Sequence, residues 1–311
     1  MHAVVLRTAL AAQAGAALQP AERPRDSGIE FVAPPFEVFA SLRGRVIPYA
    51  LRAALALLAI TCTALPPATQ VTDGLTYDEG GIIRGPRDRP RIALIFTGGE
   101  YAEGADSILD VLRDRQVKAS FFVTGTFIRT PAFQTHLRRI VTDGHYLGAH
   151  SDEHLLYASW SDRDETLISH ERFRDDLERN LSDLEQYGLT RSQMRFFIPP
   201  YEWYNRQIVE WSHAMGLVLF NYTPGTRSNA DYMPDTHPRF ISSFDIYQSI
   251  LAHEAADPHG LNGFLLLLHV GAGPERTDKM HLLVGPLIGE LQRRGYSFVR
   301  VDELLAGAAA H

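Results

Sequence analysis

From residue 91 onward the chain alternates short apolar runs with longer stretches whose apolar residues recur every three or four positions. The runs at 92–96, 119–123, 146–149, 196–198, 217–221, 264–269 and 297–301 predict strands. The segments 106–115, 131–143, 173–187 and 281–294 predict helices; Ile108, Leu109 and Leu112 share one face, as do Leu177, Leu181 and Leu184. Gly144, Gly188 and Gly295 follow three of these segments, where a helix is expected to stop. Regular alternation of strand and helix argues βαβ units and a parallel sheet. Seven strands in that rhythm fit a closed barrel better than an open sheet. In such a barrel functional residues gather at the C-terminal ends of the strands. Polar and titratable residues concentrate at those ends here, in 97–100, 150–154, 199–202, 222–231 and at His269.

The first ninety residues break the pattern. Residues 1–42 carry Pro- and Ala-rich stretches without a sustained period. Arg43, Arg45 and Arg52 then precede an apolar run from 53 to 65 and the sequence Pro66-Pro67-Ala68, the layout of a signal peptide over 43–68. The run is shorter than the ~20 apolar residues that span a bilayer, so no stable membrane span is expected. Forty residues ahead of a signal peptide are unusual. The translation start is therefore expected near Val46, with 1–42 an over-extended reading frame or a disordered N-terminus. Cys62 at the end of the run resembles a lipoprotein box, but Thr61 is a poor residue before the cleavage point, and cleavage after about Ala64 or Ala68 is expected instead. Residues 69–90, with Pro, Gly, Asp and Thr, read as a linker to a catalytic domain over 91–305. A secreted or periplasmic location is implied.

Composition narrows the chemistry. With 45% hydrophobic and 22% charged residues, the chain can bury a sizeable core. A net charge of −7 without a concentrated basic face argues against a nucleic-acid partner. Cys62 is the single cysteine, which excludes a thiolate cluster, so any metal is expected on His, Asp or Glu as zinc or a similar divalent ion. Protein partners are not legible.

His150 and His154 are spaced as metal ligands, but 13 histidines in 311 positions give about one half of an i,i+4 pair by chance. Their place at a strand end, among acidic residues, strengthens the assignment. The ordered segments 118–125, 150–154 (His-Ser-Asp-Glu-His), Pro199-Pro200-Tyr201 and Leu267-Leu268-His269 resemble the polysaccharide deacetylases of carbohydrate esterase family 4, the nodulation-factor deacetylase homology domain, over about residues 91–305. The resemblance implies a distorted (β/α)7 barrel, a divalent metal on His150 and His154, and His269 as general acid.

The departures from that family are as informative. Its first motif reads Thr-Phe-Asp-Asp-Gly, a base followed by a metal ligand; Ile95-Phe96-Thr97-Gly98-Gly99 stands in its place and lacks both carboxylates. The family arginine that holds the base falls at Ile198. Losing the base and its charge partner together is coherent, because an unpaired buried arginine is costly. Glu100 is expected to replace the lost carboxylate, as third metal ligand or as base, with Glu202 the alternative. Asp152 is a candidate to orient an imidazole. Tyr201 and Trp203, with Tyr204, are suited to stacking on sugar rings. Arg227 and Asp231, in the loop after the fifth strand, are candidates to contact substrate or tune His269. The expected reaction is hydrolytic removal of acetyl groups, N- or O-linked, from an acetylated carbohydrate. The alternatives are an inactive carbohydrate-binding barrel and a small-amide hydrolase on the same fold.

Overall fold

The computed structural model describes residues 74–307. The signal-peptide segment over 43–68, the reading of 1–42 and the anchoring role of Cys62 lie outside the described residues. The chain opens with a hairpin of β1 (Thr76–Asp78) and β2 (Gly81–Arg84). Then follow β3 (Arg91–Gly98), α1 (Ala105–Asp114), β4 (Ser120–Val123), α2 (Gly125–Arg129), α3 (Gln134–Thr142), β5 (Tyr146–Ala149) and α4 (His170–Glu185). The second half runs β6 (Phe196–Phe197), α5 (Arg206–Ala214), β7 (Val218–Leu219), α6 (Ser243–Ala256), β8 (Phe264–His269), α7 (Val284–Arg293), β9 (Ser297–Val299) and α8 (Val301–Leu304). The seven strands expected from the apolar runs are the seven of the main sheet, all parallel, in the order β7-β6-β5-β4-β3-β8, with β9 beside β3. Residues 92 and 93 pair with both β8 and β9, so these two flank opposite edges of β3.

The strands read as unbroken apolar runs because both faces are buried. Side chains alternate between them. Ala93, Ile95, Phe122, Tyr146, Phe196, Ile198, Val218, Phe220, Leu265 and Leu267 form one cluster, the barrel interior. Their neighbours Ile92, Leu94, Phe96, Phe121, Val123, Leu147, Leu266 and Leu268 pack in a second, larger cluster with Ile108, Leu112, Leu137, Leu177 and Leu287 of the helices. Side-chain caps start several helices: Ser169 accepts from Arg172 N, Asn205 from Ile208 N and Ser242 from Asp245 N. Each such cap stabilises by about 1 kcal/mol.

One expectation is corrected here. Residues 74–90, assigned to a linker, are folded into the barrel wall. Asn221 N donates to Ile82 O at 2.7 Å, Thr223 Oγ1 to Ile83 O at 2.6 Å, and Gly85 N to Gly263 O at 2.7 Å. The β2 segment thus bridges the gap between β7 and β8, and Ile82 joins the interior cluster. Arg84, buried, fixes it by donating to Asp257 at 2.8 Å and to the Asn262 and Gly260 carbonyls. The turn residues Asp78 and Gly80–Gly81 that suggested a linker make the hairpin instead.

Candidate active site

Three interior columns climb out of the apolar core and end in polar groups at one mouth of the barrel. On β3 the column is Ala93, Ile95, Thr97; along β5 it is Tyr146, Gly148, His150; on β8 it is Leu265, Leu267, His269. Thr97 and His269 are register partners. The strand pattern therefore delivers them side by side, as barrel architecture requires of a site at the strand C-termini.

His150 is buried, and its Nδ1 lies 2.9 Å from the Ile198 carbonyl oxygen. That contact makes Nδ1–H the donor and leaves the Nε2 lone pair for a ligand. The His154 ring is 5.0 Å from it, centroid to centroid. Burial, then the neighbouring His154, holds His150 well below the ordinary histidine range; burial, then His269, lowers His154 to about 4. Both imidazoles are neutral at pH 7, the form that binds metal. The loop carrying them is bent through left-handed backbone at Ser151 (φ 68°) and His154 (φ 55°). Beneath it the fully buried Asp176 of α4 accepts from the backbone N–H groups of Asp152 (3.1 Å) and Glu153 (2.9 Å). Asp152 itself does not orient an imidazole. Its carboxylate is paired with Arg129 at 2.6 Å and Arg179 at 3.0 Å, and the orienting group on His150 is a backbone carbonyl.

On the other side of the mouth, Asp231 grips His269 twice. Its Oδ1 is 2.6 Å from Nδ1 and its Oδ2 accepts from the backbone N–H at 2.8 Å. Burial works against charging His269, yet the charge and hydrogen bond of Asp231, with Glu202 nearby, raise it above the ordinary value. Glu202 is the carboxyl that this pair feels. Burial pushes it up to about 7, against the pull of His269 and with the repulsion of Asp231. Tyr222, one residue beyond Asn221 in the β7 column, senses the same carboxyl. Glu202 is set by a turn in which Tyr201 (φ 58°) and Glu202 (φ 53°) are both left-handed, and Asn221 Nδ2 donates to the Glu202 carbonyl at 2.7 Å. Side chains with a Cβ are held in that region only where surrounding structure over-determines it. Four of the six such residues among the described ones lie in the two loops around this mouth.

The other candidates divide. Glu100 is exposed at the start of the loop after β3. That loop is tied to the one after β8 by Glu103, which accepts from the backbone N–H groups of Ala272 and Gly273. Thr97, where the family base would stand, is buried with no hydrogen-bond partner for its hydroxyl. A Cβ on Gly98 would lie 2.9 Å from the ring of the buried Phe127, so the position of the family ligand is filled from behind. Tyr201 is exposed and its ring touches His154 at 4.5 Å. Trp203 donates through Nε1 to Ser159 O at 3.1 Å. Tyr204 leaves the aromatic cluster: it is fully buried and donates to Asp78 O at 3.0 Å. Arg227 is exposed, its backbone N–H bonded to Ser249 of α6.

The donor set at His150 and His154 fits a divalent metal: two neutral imidazoles, one with its tautomer fixed. Among the described residues, the trio of possible ligand atoms found within 4.8 Å of one another is Asp152, Glu153 and Asp176. Arginines already occupy it, since Arg129 and Arg179 hold Asp152, and Arg172 and Arg179 hold Glu153.

Comparison with known proteins decides the lineage. The model of the polysaccharide deacetylase family matches residues 84–220. A 30.6 kDa protein of Geobacillus stearothermophilus is 34% identical over 254 residues, covering 77% of this chain and 80% of that protein. This chain belongs to the polysaccharide deacetylase family. The peptidoglycan-N-acetylglucosamine deacetylase PgdA of Listeria monocytogenes is 26% identical over 215 residues, 69% of this chain, and this deacetylase-family chain spans 38% of that relative's length. Among solved structures, a CE4-family pseudoenzyme from Bacillus anthracis superposes with a TM-score of 0.55 at 18% identity, over 74% of this chain and 70% of that one. The expected (β/α)7 barrel of the deacetylase family is the fold observed.

Proposed function

We propose that the protein is a metal-dependent carbohydrate deacetylase in which Glu202 has taken over the work of the lost first-motif carboxylates. The observation that carries this reading is the Asp231–His269 pair facing Glu202 at the same mouth as His150 and His154. The metal is read as zinc, for which imidazole nitrogens are suitable donors, and it would sit on the Nε2 side of His150 with His154. The chemistry a bound divalent ion supplies there is polarisation of the acetyl carbonyl.

The chain's own residues do the rest. Glu202, unprotonated, takes a proton from the attacking water. His269, protonated and held by Asp231, gives a proton to the departing nitrogen or oxygen of the sugar. An amide needs that proton more than an ester, and the two-point grip of Asp231 keeps the charged imidazolium in place until then. The Listeria relative acts by name on an N-acetylglucosamine of peptidoglycan, which makes an N-acetylated amino sugar the first substrate to try. An export segment over 43–68 is part of the same reading.

A second reading is supported by Thr97 and Gly98: a barrel that binds glycan without hydrolysing it, as the Bacillus anthracis neighbour is a pseudoenzyme. Acetate release from a panel of N- and O-acetylated oligosaccharides, with and without chelator, separates the two. Chelator-sensitive release supports the enzyme; binding without release on any acetylated sugar supports the second.

A further inference from the structure

Among exposed large apolar side chains, Trp160 is out of place. It lies in the loop between β5 and α4, within the polar sequence Ser159-Trp160-Ser161-Asp162-Arg163-Asp164-Glu165, and 61% of its surface is open. Leaving such a ring open forgoes the hydrophobic stabilisation that burial would give. The loop is not slack. An antiparallel bridge joins Ala158 and Thr166, Ser159 N donates to Glu165 O at 3.0 Å, and Leu167 N donates to Tyr157 O at 2.8 Å. Trp160 therefore rides near the tip of a small hairpin. Its indole stacks on Trp203 (5.3 Å, 26°), and Trp203 in turn lies under the guanidinium of Arg163 at 4.5 Å. Arg163 is itself pinned by Asp78 and by the Tyr204 carbonyl, both at 2.8 Å. The stack is pre-organised from below, and its open surface belongs to Trp160.

That surface continues into the site. From the His154 ring to Tyr201 is 4.5 Å, and from Tyr201 to Trp160 is 6.1 Å with the rings at 81°. A flat apolar ring in a loop otherwise made of polar residues, two aromatic steps from the metal-binding histidines, suits the apolar face of a pyranose. We propose that Trp160, backed by Trp203, is a stacking subsite for the sugar next to the one being deacetylated, so that the enzyme acts on chains in preference to single sugars. The inference rests on the carbohydrate reading of the site, but it has its own readout. The chain has three tryptophans, of which Trp160 and Trp203 form this stack and Trp211 packs on His170 and Phe173. Intrinsic fluorescence consequently reports on the subsite without turnover.

The test titrates the full-length wild type, Trp160→Ala and Trp160→Phe with N-acetylglucosamine oligomers of one to five units, following fluorescence and, in parallel, acetate release. The wild type should show a fluorescence change that strengthens with chain length. Trp160→Ala should raise KM for the longer oligomers about tenfold, an effect of the size one aromatic contact supplies, while leaving kcat and the monomer untouched. Trp160→Phe should restore most of the loss. Length-dependent, Trp160-dependent binding with no acetate release would retain the subsite and reject the hydrolase. Acetate release indifferent to Trp160 at every length, no fluorescence response in the wild type, or a dimer that Trp160→Ala dissociates would each overturn the subsite.

Discussion

At the end of β3 the barrel offers a buried threonine hydroxyl with no partner and a glycine with Phe127 pressed against it. At the end of β6 it offers two residues on left-handed backbone, the second a carboxyl raised to about 7 near a histidine that Asp231 holds above its ordinary range. The first region carries no charged group. The second carries strain and desolvated charge together. Strain and misfit charge cost stability and persist where function holds them, so the difference supports the proposal that Glu202, at the end of β6, is the working carboxylate.

The largest expected effect lies on the side shared by both regions. His269→Gln should lower acetate release by about 10²–10⁴-fold, the usual value of a positioned proton donor, with metal content unchanged by elemental analysis. Asp231→Asn should remove part of that activity and move the alkaline limb of the pH–rate profile downward. Asp231's charge and hydrogen bond are what hold His269 above its ordinary range.

The next test tries to reverse the comparison. Restoring the family ligand by Gly98→Asp should not raise activity and should destabilise by about 1–3 kcal/mol, the usual cost of overpacking, read as a lower melting temperature. Phe127 is fully buried and packed on Phe133 at 4.8 Å, and a Cβ on Gly98 would lie 2.9 Å from its ring. A gain of turnover in Gly98→Asp would show that the end of β3 is still the place for the carboxylate.

The smallest effect is expected at Thr97. An unpaired buried hydroxyl costs about 1–3 kcal/mol, so Thr97→Val should melt higher. If the hydroxyl also steadies the water that Glu202 activates, the same variant should lose several-fold in kcat. Stability gained without any change in kcat would make Thr97 packing alone.

Much of this was legible in the sequence. The strands at 146–149 and 264–269 were read to the residue because unbroken apolar runs ended in titratable groups, and the places of His150 and His269, with His154 in the loop just beyond, followed from those ends. The hairpin at 76–84 was not, because its turn residues are also linker residues and the groups that bond the β2 backbone, Asn221 and Thr223, lie far along the chain. Helix α6 escaped because Ser243, Ile246 and Ile250 are its buried residues while Phe244 faces solvent, so no stripe marks the sequence. Glu100 and Glu202 looked alike along the chain. Only the left-handed turn at Tyr201 and the proximity of His269 separate them, and neither is a property of local sequence. Trp160 carried no signal at all: an isolated aromatic among polar residues gains meaning once Trp203 is found beneath it.

The account stands most directly on one paired measurement, the pH–rate profile and the pH-dependent melting of Glu202→Gln beside Glu100→Gln. In the wild type, acetate release should rise through pH 7 as Glu202 loses its proton and fall again at higher pH as His269 loses its own. Glu202→Gln should keep the metal, lose about 10²–10⁴ in rate and lose the acid limb. It should also gain stability over the wild type between pH 5 and 8. A carboxyl raised from its ordinary range to about 7 contributes stability that is complete below its unfolded value and lost as pH rises through the folded one. The glutamine has nothing to lose in that window. Glu100→Gln should change neither profile. An unaltered rate and acid limb in Glu202→Gln, or their loss in Glu100→Gln, would contradict the transfer of the catalytic carboxylate to β6.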